Sequence, residues 1–185
     1  PSSYAFLRAY HALGQADADF RAHRRPVLSC NLYEVEAASL GEAVAGNYTV
    51  SCYFQSEQTE RNLTFLDSVR HNAGRGPISA FFAQSYASVF LIANAIRETD
   101  TDAIENVLAA AKAGPYASPF GDIRVDAKTN HVAMHAHIGR ALADGTFEIV
   151  HRGKAAIDPD PFLTRTPLGI AAQDAEKPGH LRIVR

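Results

Sequence analysis

Apolar and polar side chains alternate most regularly between residues 131 and 142, and this pattern predicts a β-strand. One face of the predicted strand carries Val132, Met134, Ala136 and Ile138, and the other carries His131, Ala133, His135 and His137. Asp144-Gly145 supplies the left-handed backbone of a tight hairpin that leads into a returning strand. With residues 121–125 as a preceding strand and residues 126–130 as a polar turn, the chain predicts a compact β-meander near residues 120–150.

Upstream of this meander the apolar spacing changes between helical and strand-like periods. A period of three to four positions predicts a first helix that starts at Ser2 or Ser3 and ends at Gly14. The short apolar run 26–30 is typical of a parallel strand buried on both faces. A helix over residues 34–45 and a strand over residues 48–54 follow, so these elements predict a βαβ unit.

Helical periods return after the predicted βαβ unit. Polar residues 55–59 precede a helix whose buried side comprises Leu63, Phe65, Leu66 and Val69. Residues 80–96 are apolar on most sides, but they are fewer than the ~20 residues of a membrane span and include Gln84 and Asn94, so we expect a buried central helix. A further helix is predicted over residues 102–113. Because a helix in an α/β protein normally follows a strand, the first helix also suggests that a preceding strand has been lost.

Composition and charge narrow the classes of function. A hydrophobic content of 46% suffices for a core, and a net charge of -2 provides no basic field to hold a nucleic-acid backbone. Direct binding to nucleic acid is therefore not expected. The two cysteines, Cys30 and Cys52, lie in apolar runs typical of buried free thiols, although neighbouring strands could also bring them within disulfide range.

Candidate chemistry is sparse, because the sequence lacks the nucleophile elbow, the phosphate-binding loops, the paired-cysteine motif and the zinc-helix motif. The alternation places His131, His135 and His137 on one strand face, where imidazoles can share a metal. A metal-dependent hydrolase is therefore one hypothesis. We favour a solvent-facing or packed histidine face, with no metal or other cofactor, because the pattern supplies no carboxylate to orient the rings.

The segment after the first predicted strand is a second candidate site. In open α/β sheets ligands bind at the carboxyl ends of strands, so Asn31 and Tyr33 could face a small ligand. The alternative is a plain helix-entry loop with Asn31 near the cap.

Several segments resemble the carboxy-terminal half of type I periplasmic-binding-protein-like receptors. The resemblance is to the branch that contains the amide sensor regulating aliphatic amidase expression and the urea or short-chain amide binding proteins of ABC transporters. The segments are PVLSCNLYEVE (26–36), YTVSCYFQSEQTERNLTFLDSV (48–69), SYASVFLIANAI (85–96), FGDIRVDAKTNHVAMHAHIGR (120–140), DGTFEIV (144–150) and DPDPF (158–162). The array GDIRVD, TNH, IGR and DGTFEIV is the most specific part.

The resemblance implies a Rossmann-like, three-layer α/β fold, present here as its carboxy-terminal portion. Residues 1–54 would then form part of a second ligand-binding lobe, residues 55–113 helices that return to a first lobe, residues 114–163 the meander and a crossing segment, and residues 164–185 a tail. Ligand-binding residues would be Cys30, Asn31 and Tyr33. Tyr53 and Phe54 would serve as hinge and packing residues.

The function implied is non-enzymatic. The resemblance suggests a sensor of a small polar amide that regulates gene expression through an antitermination protein, which would be cytoplasmic. The alternative is the solute-binding component of an ABC transporter for amides, urea or branched-chain amino acids, which would be periplasmic and would bind a permease. Since the resemblance places most ligand contacts of the family upstream of the matched segments, we expect the chain alone to bind amides weakly or not at all. Exposed cleft surface would also favour a homo-oligomer.

Overall fold

The computed structural model describes residues 2–161 and has a mixed α/β fold, as predicted. Its helices are α1 (Ser2–Ala16), α2 (Glu34–Leu40), α3 (Glu60–Ala73), α4 (Ala80–Thr99) and α5 (Ile104–Lys112), with short 3₁₀ turns at Ala18–Phe20 and Gly41–Val44. Its strands are β1 (Leu28–Ser29), β2 (Tyr48–Ser51), β3 (Tyr116–Ser118), β4 (Gly121–Val125), β5 (Val132–Ala133), β6 (His137–Ala141) and β7 (Phe147–Arg152). The predicted tail from residue 164 onward lies outside the described residues.

A four-stranded sheet with the order β1-β2-β6-β7 forms the centre of one half of the fold. β1 and β2 pair in parallel around α2, which confirms the predicted βαβ unit. β1, however, lies at the sheet edge, and Leu28 is 65% exposed. The prediction that this strand is buried on both faces is therefore wrong, because β1 has only two residues and β2 alone as a partner in the sheet.

The predicted meander is divided between two sheets. β4 pairs with β3 and β5 in a three-stranded sheet, whereas β6 pairs with β2 and β7 in the four-stranded sheet. The single strand predicted over residues 131–142 is thus wrong: it breaks between Ala133 and His137, where Met134 bridges to Ile157. The turn and the hairpin are confirmed, with Asp126 Oδ1 accepting hydrogen bonds from Lys128 and Thr129 and with Gly145 at φ 82°.

Two of the predicted helix ends move. α1 continues to Ala16 rather than ending at Gly14. Gly14 instead lets the backbone at Phe20 pack closely against the helix, since a Cβ at residue 14 would stand 3.0 Å from the Phe20 carbonyl oxygen. The helix predicted over residues 34–45 ends as an α-helix at Leu40, where Gly41 has a φ of 53° and a 3₁₀ turn follows. The strand predicted over residues 48–54 ends at Ser51.

Two hydrophobic clusters meet where β2 ends. Cluster A lies among α3, α4, β3 and β4, and cluster B lies among α1, α2, β6 and β7. Tyr53 is buried in cluster A and Phe54 is buried in cluster B, so consecutive side chains enter separate cores. This confirms their packing role.

Helix α4 is less buried than its apolar sequence predicts. Its buried residues form a narrow alanine stripe of Ala80, Ala83, Ala87 and Ala95. Phe81 and Val89 are 60% and 65% exposed, so the expectation of a helix buried on most sides is wrong for the described part of the chain. Among residues 2–161, no helix is long and apolar enough to cross a membrane.

Candidate functional site

The carboxyl ends of β1 and β2 open into a cavity of about 330 Å³, referred to here as the strand-end cavity. The parallel register pairs Ser29 with Thr49, so the chain leaves both strands on the same edge of the sheet. Cys30 and Tyr33 line the cavity from the β1 side, Cys52 lines it from the β2 side, and Gln84 of α4 faces them. This is the edge at which open α/β sheets bind ligands.

Tyr33 is held in the strand-end cavity by two contacts. Its hydroxyl donates a hydrogen bond of 2.7 Å to the Cys30 carbonyl oxygen, and its ring meets that of Phe81 edge-on at 5.0 Å. Burial, followed by the nearby thiols of Cys52 and Cys30, raises the pKa of this hydroxyl, so it stays a neutral donor and acceptor at neutral pH. Asn31 is exposed and is not among the residues that line the cavity, and its backbone N–H donates to Ser29 Oγ at 3.0 Å.

The two cysteines are free, and their environments differ. Cys30 is exposed, contrary to the expectation of a buried thiol, because the edge strand leaves it uncovered. Cys52 is partly buried and accepts a 3.0 Å contact from Gln84 Nε2. Burial raises the pKa of the Cys52 thiol, so it is protonated and a poor nucleophile at neutral pH.

A second cavity of about 220 Å³, the histidine cavity, adjoins the first and shares Cys52 and His135 with it. His137, Phe120 and the ion pair of Arg152 with Glu57 complete its wall. The rings of His135 and His137 are nearly parallel, at 8°, with centroids 6.1 Å apart. Burial lowers the pKa of His137, which favours its neutral ring.

The structure brings together two of the three histidines predicted on one face. His131 precedes β5, and its Nδ1 hydrogen-bonds to the Thr129 carbonyl at 2.8 Å. Its predicted alignment with His135 and His137 is lost because the chain changes sheets between them. Among the described residues, no group of three or more His, Cys, Asp or Glu side chains is placed to hold a metal ion.

The segment that follows Tyr53 and Phe54 is fixed by buried polar side chains. Glu34 Oε1 accepts the Gln55 N–H at 2.7 Å, and Asn62 Nδ2 donates to the Gln55 and Glu57 carbonyls. Burial raises the pKa of Glu34 to about 7. The sequence does not predict Cys52 and Gln84 as part of the strand-end cavity, or Glu34 as a partner of Gln55. The one signal in the sequence is Gln84, a polar residue within a mostly apolar helix.

The fold and the paired cavities define a small-molecule-binding α/β protein. The chain belongs to the periplasmic binding protein family: the model for the periplasmic binding protein domain matches residues 2–168. A curated relative, limonene hydroxylase from Geobacillus stearothermophilus, is 31% identical over 134 residues, which cover 70% of this chain and 24% of the relative.

Solved structures of ABC transporter proteins share the fold. One is a solute-binding protein from R. palustris in complex with benzoate, at 20% identity and a TM-score of 0.70; the match covers 85% of this chain and 41% of that one. Another is an amino acid ABC transporter substrate-binding protein from Pseudomonas fluorescens, at 20% identity and a TM-score of 0.68, with 85% and 42% covered. The chain therefore spans less than half the length of these proteins and about a quarter of the curated relative.

Proposed function

We propose that the chain is the ligand-binding part of a solute-binding protein of an ABC transporter. The observation that carries this proposal is the strand-end cavity, which Cys30, Tyr33, Cys52 and Gln84 line at the carboxyl ends of β1 and β2. Its position suits a small ligand held against one lobe and covered by another. The partner would then be a membrane permease.

Within this proposal Cys30, Asn31 and Tyr33 contact the ligand, with Cys30 and Tyr33 on the cavity wall and Asn31 exposed beside them. Tyr33 is held in place by its hydrogen bond to Cys30 and by Phe81, so it presents a fixed polar edge. Residues 1–54 would belong to the second lobe and residues 55–113 to helices of the first lobe. Tyr53 and Phe54, each buried in a different cluster, would lie at the hinge.

A solute-binding role without catalysis is part of this proposal. Burial raises the pKa of the Cys52 thiol, so the thiol that both cavities share is not an activated nucleophile. A cavity of this kind binds a solute without an activated nucleophile. Closure of the lobes would follow from tighter binding to the closed state.

The amide sensor that regulates gene expression is the second candidate. The charges that line the histidine cavity, Arg152 and Glu57, are paired, which favours an uncharged ligand such as an amide. Both candidates share the ligand site and differ in the partner. A pull-down with an ABC permease, compared with one that uses an antitermination protein, separates them.

The test of ligand binding uses saturation-transfer NMR on the 185-residue chain, because this method detects weak binding. Acetamide, urea, benzoate and leucine are compared at millimolar concentration. We expect binding of at least one compound, and we expect Asn31→Ala and Tyr33→Ala each to weaken it by about tenfold, the value of one or two lost contacts. Asn72→Ala on α3, whose side chain bonds within its own helix, is the matched control. Absence of binding by all four compounds would refute the proposal.

A further inference from the structure

The strand-end cavity gathers every sulfur-bearing side chain of the protein. The sequence contains two cysteines and one methionine, Cys30, Cys52 and Met134. All three line this cavity of about 330 Å³, although they come from three separate segments of the chain. Cys30 is exposed and the other two are partly buried, so the group is not sealed in a hydrophobic core.

The register of β1 and β2 brings the two thiols to one face of the sheet. Ser29 pairs in parallel with Thr49, so Cys30 follows in line with Val50. Cys52 lies two residues beyond Val50 and, because side chains alternate along a strand, on the same face. Extending this register gives a Cα separation of about 8 Å, from a strand spacing of about 5 Å and a rise of about 3.3 Å per residue.

This separation suits an ion held between the thiols better than it suits a disulfide. Disulfide-bonded cysteines usually have Cα atoms about 4.4–6.8 Å apart. An ion lengthens the link by roughly 2.5 Å, because two metal–sulfur bonds of about 2.3 Å take the place of one sulfur–sulfur bond of about 2 Å. In agreement with this spacing, both cysteines are free thiols.

Neighbouring polar groups show that both sulfur atoms lie near the same part of the cavity wall. Gln84, which lines the cavity, donates from Nε2 to Cys52 Sγ at 3.0 Å. The Tyr33 hydroxyl is fixed to the Cys30 carbonyl oxygen at 2.7 Å. Apart from the larger effect of burial, the thiols of Cys52 and Cys30 both raise the pKa of this hydroxyl, so it lies close to each of them.

The chemistry of these ligands selects the kind of ion. Among residues 2–161 no three His, Cys, Asp or Glu side chains are placed around one ion, whereas a structural Zn²⁺ site takes four such ligands. Thiolate and thioether sulfur atoms are soft ligands that favour Cu(I). This ion is satisfied by fewer ligands than Zn²⁺, so two thiolates and one thioether suffice.

We propose that the strand-end cavity binds one Cu(I) ion between the sulfur atoms of Cys30 and Cys52, with the Met134 thioether as a third and weaker ligand. Each bond from copper to a thiolate replaces an S–H bond, so two protons leave to solvent as the ion enters. Nothing is oxidised or reduced in this step. The site goes beyond the proposed solute-binding function, because it needs neither a solute nor a second lobe.

The test titrates the reduced 185-residue chain with Cu(I) without oxygen, in competition with the chromogenic Cu(I) chelator bicinchoninate. We expect one equivalent of copper per chain, with only sulfur neighbours in the X-ray absorption spectrum. Cys30→Ser and Cys52→Ser should each lose this stoichiometric binding. Met134→Leu should keep the stoichiometry but bind about tenfold more weakly, since a thioether is a weaker ligand than a thiolate.

Ile157→Leu is the matched control, because Ile157 lines the same cavity without a sulfur atom and the change conserves side-chain volume. Far-UV circular dichroism checks that each variant folds, and the exposed position of Cys30 makes Cys30→Ser the variant least able to disturb the core. An equimolar mixture of the two serine variants should bind no copper, because both thiols of a site belong to one chain.

Full copper binding by either serine variant, recovery of binding in their mixture, or nitrogen or oxygen neighbours in place of sulfur would overturn the site. Equal affinity of the chain unfolded in urea would also overturn it, since the site depends on the register of β1 and β2. Unchanged affinity in Met134→Leu would overturn the role of the thioether. Solute binding is measured on the metal-free chain, so the copper site and the proposed function can fail independently.

Discussion

At the scale of single residues, close packing against a neighbouring side chain determines which residue fits at position 139. Gly139 lies in β6 directly under the ring of Phe54, and a Cβ there would stand 2.4 Å from Phe54 Cε1. Phe54 is 1% exposed and its ring centroid lies 5.3 Å from that of Phe147, so a side chain at residue 139 would have to displace a buried ring. Cluster B is therefore closed over a position where only glycine fits.

We predict that Gly139→Ala destabilises the chain by about 1–3 kcal/mol, the usual cost of overpacking a core. Urea denaturation followed by circular dichroism measures the change. Gly76→Ala is the control, because no atom lies within 4 Å of a Cβ at that position. Equal stability of the two variants would contradict the packing described for Phe54.

The residue scale is also where prediction from sequence reaches its limit. The hairpin at Gly145 follows from local backbone chemistry, and its φ of 82° is as expected. The assignments of Cys30, Asn31 and Tyr33 to a ligand site remain predictions. The contacts of the Gly153 backbone with the His135 and His137 rings could not be predicted. They join residues that are 18 and 16 positions apart in the chain, respectively.

At the scale of elements, α2 is tied to the segment after β2 by a buried carboxyl group. Glu34 is 4% exposed, its Oε1 accepts the Gln55 N–H, and its Oε2 has no hydrogen-bond partner among the described residues. Tyr53, whose hydroxyl is likewise buried without a partner there, lies nearby. Burial is the main cause of the rise of the Glu34 pKa to about 7 from 4.5.

This pKa predicts a stability that depends on pH. The folded chain binds the Glu34 proton more tightly than the unfolded chain does, so this proton contributes to the free energy of unfolding. The contribution, about 3 kcal/mol, is complete below about pH 4.5 and is lost as the pH rises to about 7. Urea denaturation across this range measures it. Glu34→Gln should remove this dependence, and Glu42→Gln, at an exposed position in the 3₁₀ turn after α2, should retain it. Equal slopes for both variants would contradict the raised pKa.

The elements themselves were predicted with uneven success. Five helices and the βαβ unit follow from periodicity and caps, since Thr59 and Ser79 accept N-terminal N–H groups as their residue types suggest. The strands β3 and β5, of three and two residues, are too short for a periodic pattern to predict. A strand that changes sheets between Ala133 and His137 keeps its alternation in sequence, so period alone cannot reveal the break.

At the scale of the whole molecule, α4 and α5 leave an apolar face open to solvent. Its members, each at least 40% exposed, are Val89, Ile92, Ile96, Ile104 and Leu108. The match covers 41% and 42% of the two solved structures described above, so each of those proteins has further residues beyond the matched part. In the isolated chain this face is available for association.

We therefore expect the 185-residue chain to self-associate through this face as concentration rises. Sedimentation velocity measures the effect, and the double variant Val89→Lys, Ile104→Lys should shift the chain toward monomer. Val150→Lys, at an exposed apolar position on β7, provides the control. Unchanged association in the double variant would assign the contact to another surface.

The fold class, unlike the ligand, was accessible from sequence because it depends on many weak signals that agree. The periodic helices and the βαβ unit indicated an α/β fold, and the resemblance of the quoted segments, above all those around residues 120–150, indicated the family that the domain model matches. The amide ligand, the hinge and the division into lobes depend on how surfaces close on one another. These stay predictions, since no periodicity encodes that closure.

The insertion of Tyr53 and Phe54 into separate clusters fixes the position of these residues along the chain as well as the direction of their side chains. Each side chain has one matching space, on opposite sides of the backbone. A deletion or insertion of one residue next to this pair would point both rings at the wrong core. The number of residues between β2 and Gln55 is therefore constrained as strictly as their identity, and natural length variation should be confined to the loops on either side.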